Sequence, residues 1–300
     1  MSSAAIQRLM ANFTSETSPR SAAKVAHFGE HLARGSRVYV TFLPGSDFDD
    51  TLALAKRLRE EGFVPVPHIA ARSLPSLEYL EARLARLVGE AGVDSLLCIG
   101  GGVASPLGPF SETMQLLRSG IFERHGIRQI GVAGHPEGSP DIPQAEVWRA
   151  LADKNAFAQE SEINLYLVTQ FTFTAAPIIA WDQQLKARGN QLPVIVGLPG
   201  LATLKTLLRF GSEVGVGNSL NFIRKQAGSV AKLMQVSTPD AQLRDLADYL
   251  AATPESFIKG IHLYPLGGLR RSAVWARAVQ AGDFKLNARG GFKVAVDYSG

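Results

Sequence analysis

The chain has 300 residues, enough for one large domain or two ordinary ones, and an α/β barrel routinely uses this length as a single domain. With 46% hydrophobic residues, 19% charged residues and a mean hydropathy of +0.05, it can bury a large core, which excludes a disordered chain. The 31 Lys and Arg against 27 Asp and Glu leave a small, scattered surplus, which argues for an anionic small-molecule ligand and against nucleic acid.

Cys98 is the one cysteine, so an internal disulfide framework and multi-cysteine zinc or iron–sulfur sites are excluded. A lone thiol suits a reducing cytosol. The first residues lack a long apolar run, so no secretory signal is expected. No uncharged apolar run reaches the ~18 residues of a membrane span. A cytoplasmic protein without a membrane partner is the expectation.

One pattern repeats along the chain: a short apolar, β-branched run, a turn residue, then an amphipathic segment. The strands are expected at 12–17, 37–43, 64–70, 95–100, 128–133, 165–171, 194–197 and 258–264. Helices are expected at 21–33, 48–61, 75–91, 145–159, 177–188, 201–214, 240–251 and 268–279. Asp47 or Ser46 can cap the second of these, and Leu52, Leu54, Ala55 and Leu58 give it one apolar stripe. Leu74-Pro75 opens the third, where Leu77, Leu80, Leu84 and Leu87 recur at helical spacing. Gly62, Gly92 and Gly189 follow their helices, where positive φ is useful.

Alternating strands and helices imply parallel strands joined by crossovers. Eight such units point to an α/β fold, a (β/α)8 barrel in a single domain over 1–300. An open doubly wound sheet shares the alternation, and periodicity alone does not separate the two. The stretch 217–234 reads as an extra helix in the seventh unit, and 281–300 as a C-terminal extension of unassigned structure.

In a barrel, chemistry gathers at the C-terminal strand ends. Here these carry Glu16, Thr41, His68, Gly100, Gly101, Gly102, His135 with Glu137, Gln170, Gly197, Gly200, and His262 with Tyr264. A dinucleotide loop fails at Gly100-Gly101-Gly102, because Ser105 stands where the third glycine belongs. Gly215-Val216-Gly217 lacks its third glycine too. His135-Pro136-Glu137 has the H-x-E of zinc deaminases without their cysteines. Neither a P-loop, an H-E-x-x-H nor a G-x-S-x-G occurs, and no metal is expected.

Gly131-Val132-Ala133-Gly134-His135-Pro136-Glu137-Gly138 resembles the run that follows the fifth strand in the methylenetetrahydrofolate reductase family. Further stretches are similar to that family in the same order: Ser15-Glu16-Thr17-Ser18-Pro19, Val38-Tyr39-Val40-Thr41-Phe42, Val66-Pro67-His68-Ile69, Leu167-Val168-Thr169-Gln170-Phe171-Thr172-Phe173 and Gly260-Ile261-His262-Leu263-Tyr264. The resemblance runs over about 12–280 and implies a (β/α)8 barrel that holds FAD. It implies hydride transfer from NADH or NADPH, through the flavin, to 5,10-methylenetetrahydrofolate, giving 5-methyltetrahydrofolate. Homo-oligomerisation is left open.

The resemblance also assigns residues. Glu16 takes the place of the general acid, which protonates N10 as the five-membered folate ring opens. Its polar neighbours by themselves read as the setting of a solvated carboxylate. Gln170 matches the residue that hydrogen-bonds the pterin, and Tyr264 one that borders the folate or nicotinamide site; Phe171, beside Gln170, is a candidate substrate contact that, like Phe173, reads more readily as barrel or pocket packing. Thr41, His68 and His135 match positions that line the flavin. Ser139 stands where the family often has His. Lys154 is the candidate for the phosphate-binding lysine; a surface lysine on a helix is the equal alternative. The main departure is on the fourth strand, where the family reads L-R-G-D and this chain reads Cys98-Ile99-Gly100-Gly101-Gly102. Glycines permit close backbone approach and N–H donation but supply no negative charge. That substitution motivates the alternatives, a flavin-free folate-dependent methyl- or methylene-transfer enzyme or a folate-binding subunit on the same scaffold.

Overall fold

The runs of Val, Ile, Leu and Thr between turn residues form eight strands that pair into a closed barrel in the computed structural model, which describes residues 3–215, 219–227, 229–288 and 290–297. β1 is Thr14–Thr17, β2 Arg37–Val40, β3 Val64–Ala70 and β4 Ser95–Ile99. β5 is Gln129–Gly134, β6 Asn164–Thr169, β7 Val194–Pro199 and β8 Ile258–Tyr264. Around the barrel the order is β1, β8, β7, β6, β5, β4, β3, β2, closing on β1. The pairing is parallel, with His262 opposite Gly197 between β8 and β7, and His68 opposite Leu97 between β3 and β4. Closure excludes the open sheet, and helices between successive strands complete a (β/α)8 barrel. No helix among the described residues is long and apolar enough to cross a membrane.

The chain forms two compact units. One comprises Glu16–Ala133 and Trp148–Leu167. Its helix Phe48–Glu60 begins where the Asp47 carboxylate accepts from the Asp49 N–H at 2.9 Å, and it buries Leu52, Leu54, Ala55 and Leu58. Helix Leu77–Ala91 starts two residues later than its Pro suggests, because the Ser76 hydroxyl caps it, accepting from Tyr79 N–H at 3.2 Å. Gly92 closes that helix in the left-handed region at φ 58°. Inside the unit the Tyr39 and Tyr166 hydroxyls share a buried hydrogen bond of 2.8 Å. Gly131 makes room for this pair: a Cβ there would stand 3.0 Å from the Tyr166 ring and 2.9 Å from Leu97.

The helix expected at 21–33 does not form. Its place is taken by a short helix, Pro19–Ala22, and a 3₁₀ turn, Phe28–Glu30. Arg57 is the cause. Its guanidinium donates to the carbonyls of Ala22 at 3.1 Å, Val25 at 2.6 Å and Ala26 at 2.8 Å, groups that a continuous helix would have used internally. Glu61 takes the Phe28 N–H at 2.7 Å and also binds Arg57 at 2.8 Å. Phe28 is thereby fixed beneath the guanidinium, 4.9 Å from its ring centre, and is fully buried.

The second unit comprises Met1–Ser15, Gly134–Val147 and Val168–Gly300. It begins with an unforeseen amphipathic helix, Ser3–Met10, which buries Ile6, Leu9 and Met10. Within the irregular stretch 217–234, residues 217, 218 and 228 lie outside the described residues; the rest contains helices Leu220–Gln226 and Val230–Leu233. In the C-terminal extension 281–300, residues 289 and 298–300 are likewise outside them. The rest contains an antiparallel hairpin, Phe284–Leu286 with Phe292–Val294. Phe292 stacks on Trp275 at 6.1 Å, which makes the hairpin a cover for the fully buried indole of helix Leu269–Ala281.

Trp275 Nε1 donates to Asp240 at 2.8 Å, and the Thr238 hydroxyl donates to the same carboxylate. Burial nevertheless pushes the Asp240 carboxyl up to about 6. Between the ordinary aspartate range near 4 and about 6, the folded chain keeps a proton that the unfolded chain has lost, so stability falls as pH rises through this window. Asp240→Asn is expected to raise the melting temperature at pH 7.5 by roughly 2–4 °C, with no gain at pH 4. A gain of equal size at both pH values would contradict the buried carboxyl.

Candidate active site

The first unit presents the ends of β1 to β4. Glu16 lies within β1 and is half-buried, not a fully solvated carboxylate. Thr41, also half-buried, continues the chain just past β2, where its N–H donates to Thr17 O at 3.0 Å. β2 is shorter than expected because residues 43–46 turn back: Ser46 N–H donates to Leu43 O at 2.9 Å, and Leu43 N–H to the Ser46 hydroxyl at 3.3 Å. His68 lies near the end of β3 with its ring edge-to-face to Tyr39, centroids 6.2 Å apart.

After β4 the three glycines differ in environment. Gly101 needs to be glycine, with φ +93° and a Cβ position 3.2 Å from Ala70. A Cβ on Gly100 or Gly102 would meet open space. Arg72 holds this loop. Its N–H donates to Gly100 O at 2.9 Å, its carbonyl accepts from Leu107 N–H at 2.9 Å, and its Nε donates to Ser111 O at 2.9 Å. The only sequence signal for Arg72 is its position directly after β3.

Lys154, on helix Gln144–Glu160, is not a surface lysine: it is 8% exposed. Its Nζ donates to Ala133 O at a long 3.4 Å. Burial lowers its amine to about 8, partly opposed by Cys98 and Glu112. Burial pushes the Cys98 thiol up to about 12. The signal was present in the sequence, since Lys154 lies three residues after Leu151 on the same buried stripe. A buried amine spending a single long hydrogen bond suits an anionic ligand group.

The second unit presents the loops after β5 to β8. His135 to Gly138 forms a tight turn, with Gly138 N–H on His135 O at 3.1 Å and Gly138 at φ +79°. Ser139 forms an isolated antiparallel bridge with Ile142. The Glu137 carboxylate accepts from Ser219 twice, from its N–H at 2.7 Å and its hydroxyl at 2.6 Å. Gln170 N–H donates to Gly134 O at 3.1 Å, while its side-chain Oε1 accepts from Phe171 N–H at 3.1 Å. That internal bond engages the amide oxygen and turns the Nε2 donors the other way.

Phe171 is 2% exposed and packs edge-on against Tyr264 at 5.4 Å and Phe173 at 5.6 Å. These rings join Leu204, Leu207, Leu220 and Ile223 in one apolar cluster. The Tyr264 hydroxyl donates to Thr169 O at 2.9 Å, and its ring meets the His262 ring at 4.7 Å. His262 is buried and shares a 2.8 Å hydrogen bond between Nδ1 and the Thr14 hydroxyl. Of the expected site residues, the structure groups Glu16, Thr41, His68, the three glycines and Lys154 in the first unit. It groups His135, Ser139, Gln170, Phe171 and Tyr264 in the second. Among the described residues, no three His, Cys, Asp or Glu side chains gather as a metal-binding cluster.

No family model matches the chain. It is 31% identical over 81 residues to methylenetetrahydrofolate reductase 2 of Saccharomyces cerevisiae, a match that covers 27% of this chain and 13% of the yeast protein. Its fold is similar to that of an uncharacterized protein from Clostridium thermocellum that binds two copies of 5-methyl-5,6,7,8-tetrahydrofolic acid. The TM-score is 0.59 at 14% identity, over 92% of this chain and 98% of the other.

The buried amine has a direct test. The native Lys154 amine loses its proton near 8 and an unfolded lysine at about 10.4, so the unfolded chain binds more protons between these values and stability rises with pH there. Lys154→Met should be more stable than the natural protein at pH 7, with the difference narrowing towards pH 10. A difference that does not change with pH would contradict the assignment.

Proposed function

We propose that the chain reduces 5,10-methylenetetrahydrofolate to 5-methyltetrahydrofolate, with NADH or NADPH as reductant and FAD as cofactor. The observation that carries this reading is placement. Six stretches similar to the reductase family stand, in family order, at the C-terminal ends of β1, β2, β3, β5, β6 and β8. The partial identity to the yeast reductase and the fold shared with a protein that binds 5-methyltetrahydrofolate support a reduced folate as the substrate class.

The residues present fit a flavin in part. Lys154 offers a buried cation to phosphate, Thr41 and His68 offer side-chain donors, and Gly100 and Gly102 leave room for close approach. When bound, the flavin supplies the hydride chemistry between nicotinamide and folate. The protein's own part is separate. Glu16, half-buried on β1, holds the proton for N10. Gln170 directs its Nε2 donors to an acceptor on the pterin edge. Tyr264, tied to Thr169, gives the ring a fixed apolar wall.

One observation favours a second reading. The loop after β4 carries three glycines and no carboxylate where the family has charge, and this would suit a flavin-free folate-dependent methyl- or methylene-transfer enzyme, or a folate-binding subunit. Glu16→Gln separates the roles. It should lower folate reduction by at least ~100-fold, while NADH oxidation with added FAD and an artificial acceptor continues. Equal loss of both half-reactions would overturn the acid assignment.

A further inference from the structure

Glu137 belongs to the run that carries the family resemblance, yet neither of its oxygens is open to a ligand. Oε1 accepts from Ser219 N–H at 2.7 Å and Oε2 from the Ser219 hydroxyl at 2.6 Å. Ser219 is buried, and its oxygen accepts in turn from Phe173 N–H at 3.0 Å. One carboxylate and one hydroxyl therefore link three loops: that after β5, that after β6, and the insertion that follows β7. Beyond Ser219 the helix Leu220–Gln226 lays Leu220 and Ile223 on Phe171 and Phe173, with Tyr264 packed against the same cluster. Ser219 precedes the helix as a capping serine would, but it has helical backbone angles and makes no cap bond; its hydroxyl donates to Glu137 and accepts from Phe173 N–H instead.

We propose that Glu137 is a positioning residue. Through Ser219 it seats helix Leu220–Gln226 on the aromatic wall formed by Phe171, Phe173 and Tyr264, and so sets the affinity for a reduced folate. The affinity claim rests on the folate reading above; the seating claim does not. A carboxylate suits the task because it accepts from an N–H and an O–H at once, and charge-assisted bonds of this kind are about twice as strong as neutral ones. An alanine would leave the Ser219 N–H without its acceptor in a buried setting.

The test compares the full chain with Glu137→Ala, Glu137→Gln and Ser219→Ala. It uses calorimetric binding of 5-methyltetrahydrofolate, hydrogen exchange across 220–226, and melting temperature. Glu137→Ala should raise the dissociation constant by about ten-fold and speed exchange selectively in 220–226. Exchange in the strands should stay as it was. Glu137→Gln should recover part of the affinity, since its amide oxygen still accepts the N–H and the serine hydroxyl can turn to accept. Ser219→Ala should follow Glu137→Ala. Unchanged exchange in 220–226 would overturn the seating role, and so would faster exchange throughout the chain with folate affinity retained. If the natural protein binds no 5-methyltetrahydrofolate, the folate reading and the affinity claim fall together, and the exchange rates still decide the seating.

Discussion

Thr169 receives two hydrogen bonds at the end of β6: Gly197 N–H donates to its hydroxyl at 2.8 Å and the Tyr264 hydroxyl to its carbonyl at 2.9 Å. Both depend on glycine at position 197, which lets β7 approach Thr169 and leaves room for the Tyr264 ring. A Cβ there would lie 2.4 Å from Thr169 O and 2.7 Å from the Tyr264 ring. Gln170 and Phe171 follow directly, so the proposed pterin donor and the buried aromatic wall inherit their positions from this junction. Phe171 then meets Tyr264 again through its ring at 5.4 Å, which closes the arrangement on itself. A site built on strand ends locked in this way needs little reorganisation to hold a rigid heterocycle.

The other unit buries polar groups as well. Lys154 is buried with one long hydrogen bond, beside a buried thiol. Arg72 spends its backbone and guanidinium on the loop after β4. That loop keeps its shape through the positive φ of Gly101 and leaves open space at Gly100 and Gly102. Residues that break a local rule, such as a lysine on an apolar stripe, are where function is expected to reside.

β2 to β8 were legible because each is a short run rich in β-branched and aliphatic residues bounded by Gly, Pro or polar residues, whereas β1 is polar, Thr-Ser-Glu-Thr. β3 and β8 match their expected limits, and the others differ by a few residues at the ends. Barrel closure was not legible, since alternation serves an open sheet equally well. The 21–33 helix was misread because the residue that unmakes it, Arg57, is far away in sequence and acts on carbonyl groups that no side-chain pattern reports. The strand-end residues could be picked out once the barrel was assumed, but their partners could not. Nothing in the sequence pairs Glu137 with Ser219, 82 residues on, or Tyr264 with a carbonyl on β6. The burial of Lys154 could have been inferred from its spacing from Leu151; its charge left a surface position equally open.

The reductase account depends on a flavin being held despite the loss of charge after β4. The most direct measurement is the visible spectrum of the full chain after incubation with FAD and desalting, followed through addition of NADH or NADPH and then 5,10-methylenetetrahydrofolate. The account predicts a retained flavin band that bleaches with the reduced nicotinamide and returns when the folate is added. A protein that retains no flavin, or whose bleached band does not return with the folate, would contradict it.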